Sequence, residues 1–318
     1  MKMSIVGTGM IVKELLPVFK ELGLTLEAIL ATEHSRSKGE ALSQTYGIRN
    51  VFTDYELLLA GDCNAVYIAL PNHLHYSFAK KALEKGKHII IEKPIVPHLA
   101  EFHSLYELAK KNNLIILEAM NIHYLPAYAG LKNKISDIGD IKIVQFNYSQ
   151  YSSRYDDFKK GIIHPAFDKE KYGGALMDLN IYNIHAIIGL FGSPKKFSYA
   201  ANIEKGVDTS GILSLDYPNF KVSSIGAKDC KAPIINTIQG TTGNIVINTP
   251  LNSMTKFTIN RNDGASEELD FNQGKHRHFY EFKKFNEIID NNDAAAANNM
   301  LDISMQALRI LETSRMAP

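Results

Sequence analysis

Residues 88–94 read His-Ile-Ile-Ile-Glu-Lys-Pro, an apolar run that ends in a charged pair and a proline. Three consecutive β-branched residues are typical of a short strand that is buried on both faces, as in a parallel sheet. Pro94 lacks a backbone N–H and ends the pairing, which places Glu92 and Lys93 at the carboxyl end of the strand. Ligands bind at that edge of an open α/β sheet. We therefore expect Lys93 to serve chemistry or an anionic ligand, with a surface salt bridge as the alternative.

The composition of the chain is that of an ordinary globular protein. Its 318 residues are enough for two domains, each with its own core. With 35 Lys and Arg against 34 Asp and Glu, the net charge of +1 offers no electrostatic reason to expect nucleic acid or a membrane as partner. Cys63 and Cys230 lack metal spacing, and the first residues do not resemble a signal peptide. We expect a cytoplasmic protein.

A dinucleotide-binding turn is predicted near the start of the chain. The segment Gly7-Thr8-Gly9-Met10-Ile11-Val12 lies between an apolar strand and a helical pattern over residues 13–22. This is the strand–turn–helix context of the Rossmann fingerprint, although Val12 replaces its third glycine. The first glycine makes the turn, and the second lets the backbone approach a pyrophosphate at the helix N-terminus. Residues 7–11 are therefore predicted to bind NAD or NADP.

The end of the next predicted strand, residues 24–31, bears on the choice between these two cofactors. An acidic residue at this place binds the ribose diol of NAD, whereas an arginine meets the 2′-phosphate of NADP. The chain offers both Glu33 and Arg36 as cofactor-binding residues. The choice between NAD and NADP stays open.

Strand and helix patterns alternate through the rest of this half. Residues 37–46 and 76–85 predict helices, and residues 65–70 and 114–117 predict strands. Repeated units at this spacing indicate a doubly wound parallel sheet with right-handed connections. Three residues follow the strand at 65–70, and we expect them, with Glu92 and Lys93, to bind the cofactor at the carboxyl edge: they are Pro71, Asn72 and His75. The pairs His73/His75 and His276/His278 lack further ligands, so no metal site is predicted.

These motifs together resemble those of one oxidoreductase family. Gly7-Thr8-Gly9, Pro71-Asn72-x-x-His75, Gly86-Lys87-His88 and Glu92-Lys93-Pro94, at these spacings, are similar to the Gfo/Idh/MocA family, which is named after glucose–fructose oxidoreductase and inositol dehydrogenase. The resemblance covers essentially the whole chain. It implies a Rossmann domain over residues 1–120 and a substrate-binding α+β domain over residues 121–318, whose C-terminal helix can pack back on the first.

The second half of the chain predicts a large, mostly antiparallel sheet, because period-2 alternation dominates it. The predicted strands are residues 141–148, 196–202, 210–215, 220–225, 233–239, 243–248 and 256–260, and the predicted helices are residues 126–135, 276–289 and 299–312. One face of such a sheet packs on helices, and the other must be covered or wet. In the resembled family that face commonly forms a subunit interface, so we expect a homodimer or homotetramer.

One segment of this half carries candidate substrate residues. Asp178, Tyr182 and His185 are spaced i, i+4 and i+7, which places them on one helical face. A carboxylate, a phenol and an imidazole there can hold a polyol and move a proton. The alternative is a polar helix face that merely borders solvent.

The same segment resembles the family's Gly-Gly-Gly-x-x-x-Asp-x-Gly-x-His-x-x-Asp motif, with three departures. Asn180 replaces a glycine, Tyr182 replaces a histidine and His185 replaces the second aspartate. A tyrosine at this place is found in the branch that resembles glucose–fructose oxidoreductase. Elsewhere, His123 stands where the family commonly has an arginine, which puts a bidentate contact to an anionic substrate in doubt.

Together, these features predict an NAD(P)-dependent dehydrogenase or reductase that acts on a CH–OH group of a sugar, polyol or cyclic alcohol. Lys93 would stabilise alkoxide character at the reacting oxygen. Tyr182 would be the general acid and base, its pKa brought down from about 10 by the ammonium. Asp178 would orient substrate hydroxyls, and His123 and His185 complete the predicted substrate-binding set.

Two other classes of protein remain open. A non-catalytic dinucleotide- or sugar-sensing protein can have the same fold, but it would not need both Lys93 and Tyr182. Turnover of any polyol would discriminate the two. A metal-dependent hydrolase is the third class, and it fails if a chelator changes nothing.

Overall fold

The computed structural model describes residues 1–316, which divide into two compact units. Unit 1 comprises Met1–Ala119 and His278–Met305. Unit 2 comprises Met120–Arg277 and the residues from Gln306 onward. The chain therefore passes between the units three times, and the segment His278–Met305 returns to unit 1.

Unit 1 contains a six-stranded parallel sheet with strand order β3-β2-β1-β4-β5-β6. The strands are β1 Lys2–Val6, β2 Thr25–Leu30, β3 Asn50–Phe52, β4 Ala65–Ile68, β5 His88–Glu92 and β6 Ile116–Ala119. The helices between them are α1 Met10–Glu21, α2 Arg36–Tyr46, α3 Tyr55–Leu59, α4 His75–Glu84 and α5 Leu99–Lys111. This order and direction confirm the predicted doubly wound sheet.

The register of this sheet brings the carboxyl ends of four strands to one edge. Val6 pairs with both Leu30 and Ile68, and Ile68 pairs with Ile91. The order of connection reverses between β1 and β4, and such a switch point is where open α/β sheets bind ligands. The three isoleucines of β5 are fully buried, as expected for a strand that is covered on both faces.

Unit 2 contains an eight-stranded sheet with strand order β14-β13-β12-β11-β7-β10-β9-β8. The strands are β7 Ile141–Ser149, β8 Lys196–Glu204, β9 Val207–Asp216, β10 Lys221–Ala227, β11 Asn236–Gly240, β12 Gly243–Ile247, β13 Lys256–Arg261 and β14 Ser266–Asp270. Only β7 and β10 run parallel, and the other neighbouring pairs are antiparallel. The predicted mostly antiparallel sheet is thus confirmed.

The remaining helices complete both units. They are α6 Pro126–Lys134, α7 Tyr155–Lys159, α8 Ile181–Phe191, α9 Phe279–Asp290 and α10 Ala294–Met316. A π-helical turn, Leu176–Asn180, directly precedes α8. Within residues 1–316, the helical segment Lys169–Phe191 is long and apolar enough by composition to cross a membrane, but 67% of its most apolar stretch is buried inside the protein. It is therefore best described as a core helix of unit 2.

Candidate functional site

The first glycine of the predicted turn is required by close packing at the sheet edge. Gly7 has a φ of +115°, and its N–H donates to the carbonyl oxygen of Leu30 at 3.1 Å. A β-carbon at this position would lie 2.5 Å from the carbonyl oxygen of Ala69. Only glycine accommodates both this dihedral angle and this approach to the end of β4.

The second glycine opens onto space where a ligand fits. A β-carbon on Gly9, which begins helix α1, would meet no atom within 4 Å. The first turn of α1 contains no acidic residue, so no carboxylate of that turn offsets the attraction of the positive helix end for an anion. Thr8 and Ile11 are half-buried and Met10 is exposed. These residues fit a dinucleotide, whose pyrophosphate would lie against the Gly9 backbone.

The two candidates for ribose recognition lie together in the first turns after β2. Thr32 and Ser35 cap a short 3₁₀ turn through reciprocal side-chain bonds. Glu33 and Arg36 are exposed on it, 3.9 Å apart at their charged atoms, and Arg36 also lies 3.2 Å from Glu40. Exposed ion pairs of this kind contribute at most about 1 kcal/mol, so neither side chain is committed to its neighbour.

His75, which the sequence predicts to contact the cofactor, is instead a buried support for the sheet edge. Its side chain is fully buried. Its two ring nitrogens lie 2.9 Å from the carbonyl oxygen of Pro94 and 2.8 Å from that of Leu70. Burial lowers the pKa of the imidazole, while both carbonyls act in the opposite direction. The ring bridges the segments that follow β4 and β5 and presents no exposed atom to a ligand.

Lys93 directly follows β5 and is half-buried, and its peptide bond to Pro94 is cis. Glu92, the last residue of the strand, accepts a 2.6 Å hydrogen bond from the hydroxyl of Tyr67 on β4. Burial raises the pKa of the Glu92 carboxyl. Pro71 and Asn72 are half-buried beyond the end of β4. The predicted residues Gly7, Asn72 and Lys93 therefore lie beyond the ends of three neighbouring strands.

In unit 2, a pair of glycines lets the candidate substrate segment begin against β9. Gly174 has a φ of +119°, and a β-carbon there would overlap the Asp208 carboxylate. That carboxylate accepts hydrogen bonds from the Leu176 N–H at 2.7 Å and the Tyr199 hydroxyl at 2.8 Å. Burial raises the pKa of Asp208 to about 6. Asp208 thus caps the start of the helical segment.

Asp178 lies in the π-helical turn and is held by a lysine that the sequence analysis missed. The ammonium of Lys228 lies 2.8 Å from Asp178 Oδ2. Lys228 is 2% exposed, whereas the Asp178 side chain is 38% exposed. Four residues later, the half-buried ring of Tyr182 lies 6.0 Å from that of Tyr148 on β7. π-Helical turns are rare and frequently occur at functional sites.

Asn180, a departure from the family pattern, locks the turn onto β10. Its Oδ1 accepts hydrogen bonds from Ser224 Oγ at 2.6 Å and from Asn183 Nδ2 at 3.0 Å. Its Nδ2 donates to the Ser224 carbonyl at 3.3 Å. A β-carbon on Gly226 would come within 2.8 Å of the Asn180 β-carbon, so helix and strand are in close contact here.

His185, which the sequence predicts to contact the substrate, is buried beside His123. It is 1% exposed, and its Nδ1 lies 3.2 Å from Nε2 of His123. The predicted shared face assumed a regular α-helix from Asp178 onward, whereas Asp178 lies in the π-helical turn Leu176–Asn180 and its spacing to the later residues is not that of an α-helix. Tyr182 and His185 both lie in α8, three residues apart. Burial, with a smaller contribution from His185, lowers the pKa of His123 well below its ordinary value. The two imidazoles therefore form a pair in which His185 is buried and His123 is half-buried, and their contact with a substrate stays a prediction.

No group of three or more His, Cys, Asp or Glu side chains within residues 1–316 is arranged to hold a metal ion. Lys228 and Asp208, which contact the candidate substrate segment, were not predicted from the sequence. Lys228 follows an apolar strand and precedes Asp229, a pattern that equally fits an exposed strand end. Neither residue belongs to a motif that the sequence alone makes visible.

Two sequence-family models match the chain. Residues 1–120 match the model described as an oxidoreductase family with an NAD-binding Rossmann fold. Residues 134–246 match the model described as the GFO/IDH/MocA C-terminal domain.

Individual proteins are similar over nearly the whole chain. The scyllo-inositol 2-dehydrogenase (NADP(+)) IolU of Bacillus subtilis is 32% identical, covering 99% of this chain and 96% of that protein. A trans-1,2-dihydrobenzene-1,2-diol dehydrogenase of Xenopus laevis is 24% identical, covering 86% of this chain and 84% of that protein. The structure of KijD10, a 3-ketoreductase from Actinomadura kijaniata in complex with NADP and TDP-benzene, superposes with a TM-score of 0.88 at 19% identity, covering 99% of this chain and 97% of that chain. The last likeness shows a shared fold.

Proposed function

Because the chain belongs to the Gfo/Idh/MocA family of NAD(P)-dependent oxidoreductases, as its motifs predicted, we propose that it transfers a hydride between NADP and a carbinol carbon of a cyclic polyol or sugar. The observation that carries the proposal is the position of Lys93. It directly follows β5, at the sheet edge where the glycine turn fits a dinucleotide. A cation at that edge suits a reaction in which an alcohol oxygen gains negative charge.

The residues divide the chemistry between them. The nicotinamide, when bound, accepts or donates the hydride. The Lys93 ammonium donates a hydrogen bond to the reacting oxygen and stabilises its alkoxide character. Tyr182 takes the hydroxyl proton during oxidation and returns it during reduction. Asp178, held by Lys228 at 2.8 Å, accepts hydrogen bonds from other substrate hydroxyls.

We propose NADP because Arg36 is exposed beyond β2 and bound only by weak surface ion pairs. The printed name of the Bacillus relative also carries NADP(+). Arg36→Ala should weaken NADPH binding about tenfold or more, roughly 1.4 kcal/mol, and leave NADH binding unchanged. Lys38→Ala, an exposed cation two residues later on the same helix, is the matched control. Equal effects of the two variants on NADPH would contradict this assignment.

We also propose that the open face of the unit 2 sheet binds a second copy of the chain. A row of uncharged residues crosses six strands of that face by direct pairing: Ser198, Ser214, Ser223, Gln145, Thr237 and Val246. Ile143 and Ile212 are 48% and 47% exposed beside it. Ile212→Glu should dissociate the assembly in light scattering, whereas Ile162→Glu, equally exposed outside the sheet, should not. A monomeric unmodified protein would refute this.

The activity is tested with the purified protein, both dinucleotides and a panel of cyclic polyols and sugars. We expect Lys93→Ala to lower kcat about 100-fold or more while the dinucleotide Kd is largely kept. Tyr182→Phe should also lower kcat in both directions, because the phenylalanine ring cannot take up or return the proton. Lys80→Ala, exposed on α4, controls for charge. Saturable dinucleotide binding with no turnover of any substrate would favour the sensing function over catalysis.

A further inference from the structure

Lys228 is an ammonium group enclosed within unit 2. It directly follows β10, and its residue is 2% exposed. Its Nζ donates hydrogen bonds to the carbonyl oxygen of Ala166 at 2.6 Å and to Asp178 Oδ2 at 2.8 Å. It also lies 4.4 Å from the centre of the Phe167 ring, a cation–π distance. Lysine is almost never fully buried unless it is paired, so these three contacts must offset the loss of hydration.

The contacts join two separate segments to the end of β10. Ala166 and Phe167 lie in a 3₁₀ turn of the connection between β7 and the helical segment. Phe167 belongs to an aromatic cluster with Tyr155 and Phe158 in the same connection. Asp178 lies in the π-helical turn four residues before Tyr182. Lys228 therefore sets the position of the Asp178 carboxylate relative to the wall formed by this connection.

We propose that Lys228 is a positioning residue for the reaction: it keeps Asp178 ionised and fixed, so that this carboxylate acts only as an acceptor for substrate hydroxyls. The inference rests on the proposed function and deepens it. A carboxylate in contact with a buried ammonium favours the charged form, and a charged carboxylate has no proton to donate. Asp178 then selects substrates that present a hydroxyl group beside the reacting carbinol, and the proton transfer is left to Tyr182.

Other charged groups act on the same ammonium. Asp208, which caps the helical segment from β9, lies close enough for the Lys228 charge to oppose the upward shift of its pKa. Asp229 is the next residue in the chain and accepts hydrogen bonds from the hydroxyls of Thr209 and Ser210. Asp178 is the carboxylate in direct contact with the ammonium, and so it should respond most when the charge is removed.

The test combines kinetics with a direct measurement of the Asp178 charge. The difference between the infrared spectra of the unmodified protein and of Asp178→Asn gives the carboxylate band of Asp178, which is followed as a function of pH. This measurement does not require the protein to turn over a substrate. In the Lys228→Met background this band should disappear at a higher pH than in the unmodified protein. The KM for the polyol should rise about tenfold or more, with the dinucleotide Kd within about twofold. Lys221→Met, an exposed lysine at the other end of β10, is the matched control.

A purely structural role predicts different results. If Lys228→Met leaves the band and the KM unchanged, or raises the KM equally in the Asp178→Asn background, the proposal is overturned. Lys228→Arg should keep the band at its original pH because the charge is retained. Should Lys228→Met fail to fold, Lys228→Gln, which also lacks the charge, takes its place with the same expected outcomes. No turnover by the unmodified protein refutes the proposed function, whereas an unmoved band refutes the role of Lys228.

Discussion

Replacing Asn180 by alanine should destabilise the protein by an amount that follows from its contacts. The side chain is fully buried and makes three hydrogen bonds, at 2.6, 3.0 and 3.3 Å. A buried hydrogen bond contributes about 1 kcal/mol net, so Asn180→Ala should lower the free energy of unfolding by about 3 kcal/mol. Asn183 keeps its second bond to the Ile225 carbonyl, whereas the buried Ser224 hydroxyl loses its partner. For a folding unit of this size, Tm should fall by roughly 6–12 °C.

The assay is thermal unfolding followed by far-ultraviolet circular dichroism, with urea unfolding as a second measurement. Asn244→Ala is the matched control, since its side chain makes one hydrogen bond, to Asn260, at 3.0 Å on the sheet surface. That variant should lose less than about 1 kcal/mol. Ser224→Ala should fall between the two and be less than additive with Asn180→Ala. If Asn180→Ala and Asn244→Ala had the same Tm, the reasoning that the Asn180 network holds the π-helical turn on β10 would be wrong.

The other predictions concern the glycine turn at Gly7 and Gly9, the imidazole pair His123–His185, and Gly174 at the start of the helical segment. Gly9→Ala should weaken dinucleotide binding about tenfold or more (roughly 1.4 kcal/mol) with little change in Tm, because the added β-carbon enters open space. Gly7→Ala should both weaken dinucleotide binding and lower Tm. Fluorescence titration measures the binding, and thermal melts measure Tm. Burial lowers the pKa of His123 in the folded state, so the free energy of unfolding should be highest above about pH 6.5 and should fall at lower pH, where the unfolded chain takes up the proton. Urea titrations at pH 7 and pH 5 measure this fall, and His123→Gln should reduce it. The same fall in His123→Gln would contradict the prediction. Gly174→Ala should lower Tm because its β-carbon overlaps the Asp208 carboxylate. Gly192→Ala is the control, since its β-carbon meets no atom within 4 Å. Equal Tm values for the two variants would disprove the close approach of Gly174 to Asp208.

The fold was largely predictable because its strands carry strong patterns. The isoleucine run of β5 indicates a strand that is buried on both faces, and the alternation of β7 indicates a strand that is buried on one face. Burial of these faces determines how the strands of both sheets are placed. Two strands escaped prediction. β3, Asn50–Phe52, is too short to show a period, and β14, Ser266–Asp270, is mostly exposed at the sheet edge with charged side chains. Exposed edge strands carry little hydrophobic signal, so they cannot be recognised from periodicity.

The candidate site was predictable where a motif carries its own geometry. The glycine turn is such a motif, because the positive φ of Gly7 and its close approach to the end of β4 exclude every residue except glycine. The relation of Asp178 to Tyr182 and His185 was not predictable because residue spacing cannot reveal a π-helical turn. Lys228 was missed because its partner, Asp178, is 50 residues away in the chain. Contact over that distance is fixed by the packing of the π-helical turn on β10, which no local pattern encodes.

Helix α9 has a consequence for any attempt to divide or recombine this protein. It follows the second sheet in the chain, yet its Phe282 ring lies 4.7 Å from that of Phe19 and 5.4 Å from that of Tyr67, in the core of unit 1. A fragment cut after residue 119 would therefore expose both rings to water. A chimaera that exchanges unit 2 with that of a relative needs three junctions, near residues 119, 278 and 305, because unit 2 comprises an internal segment and the residues from Gln306 onward.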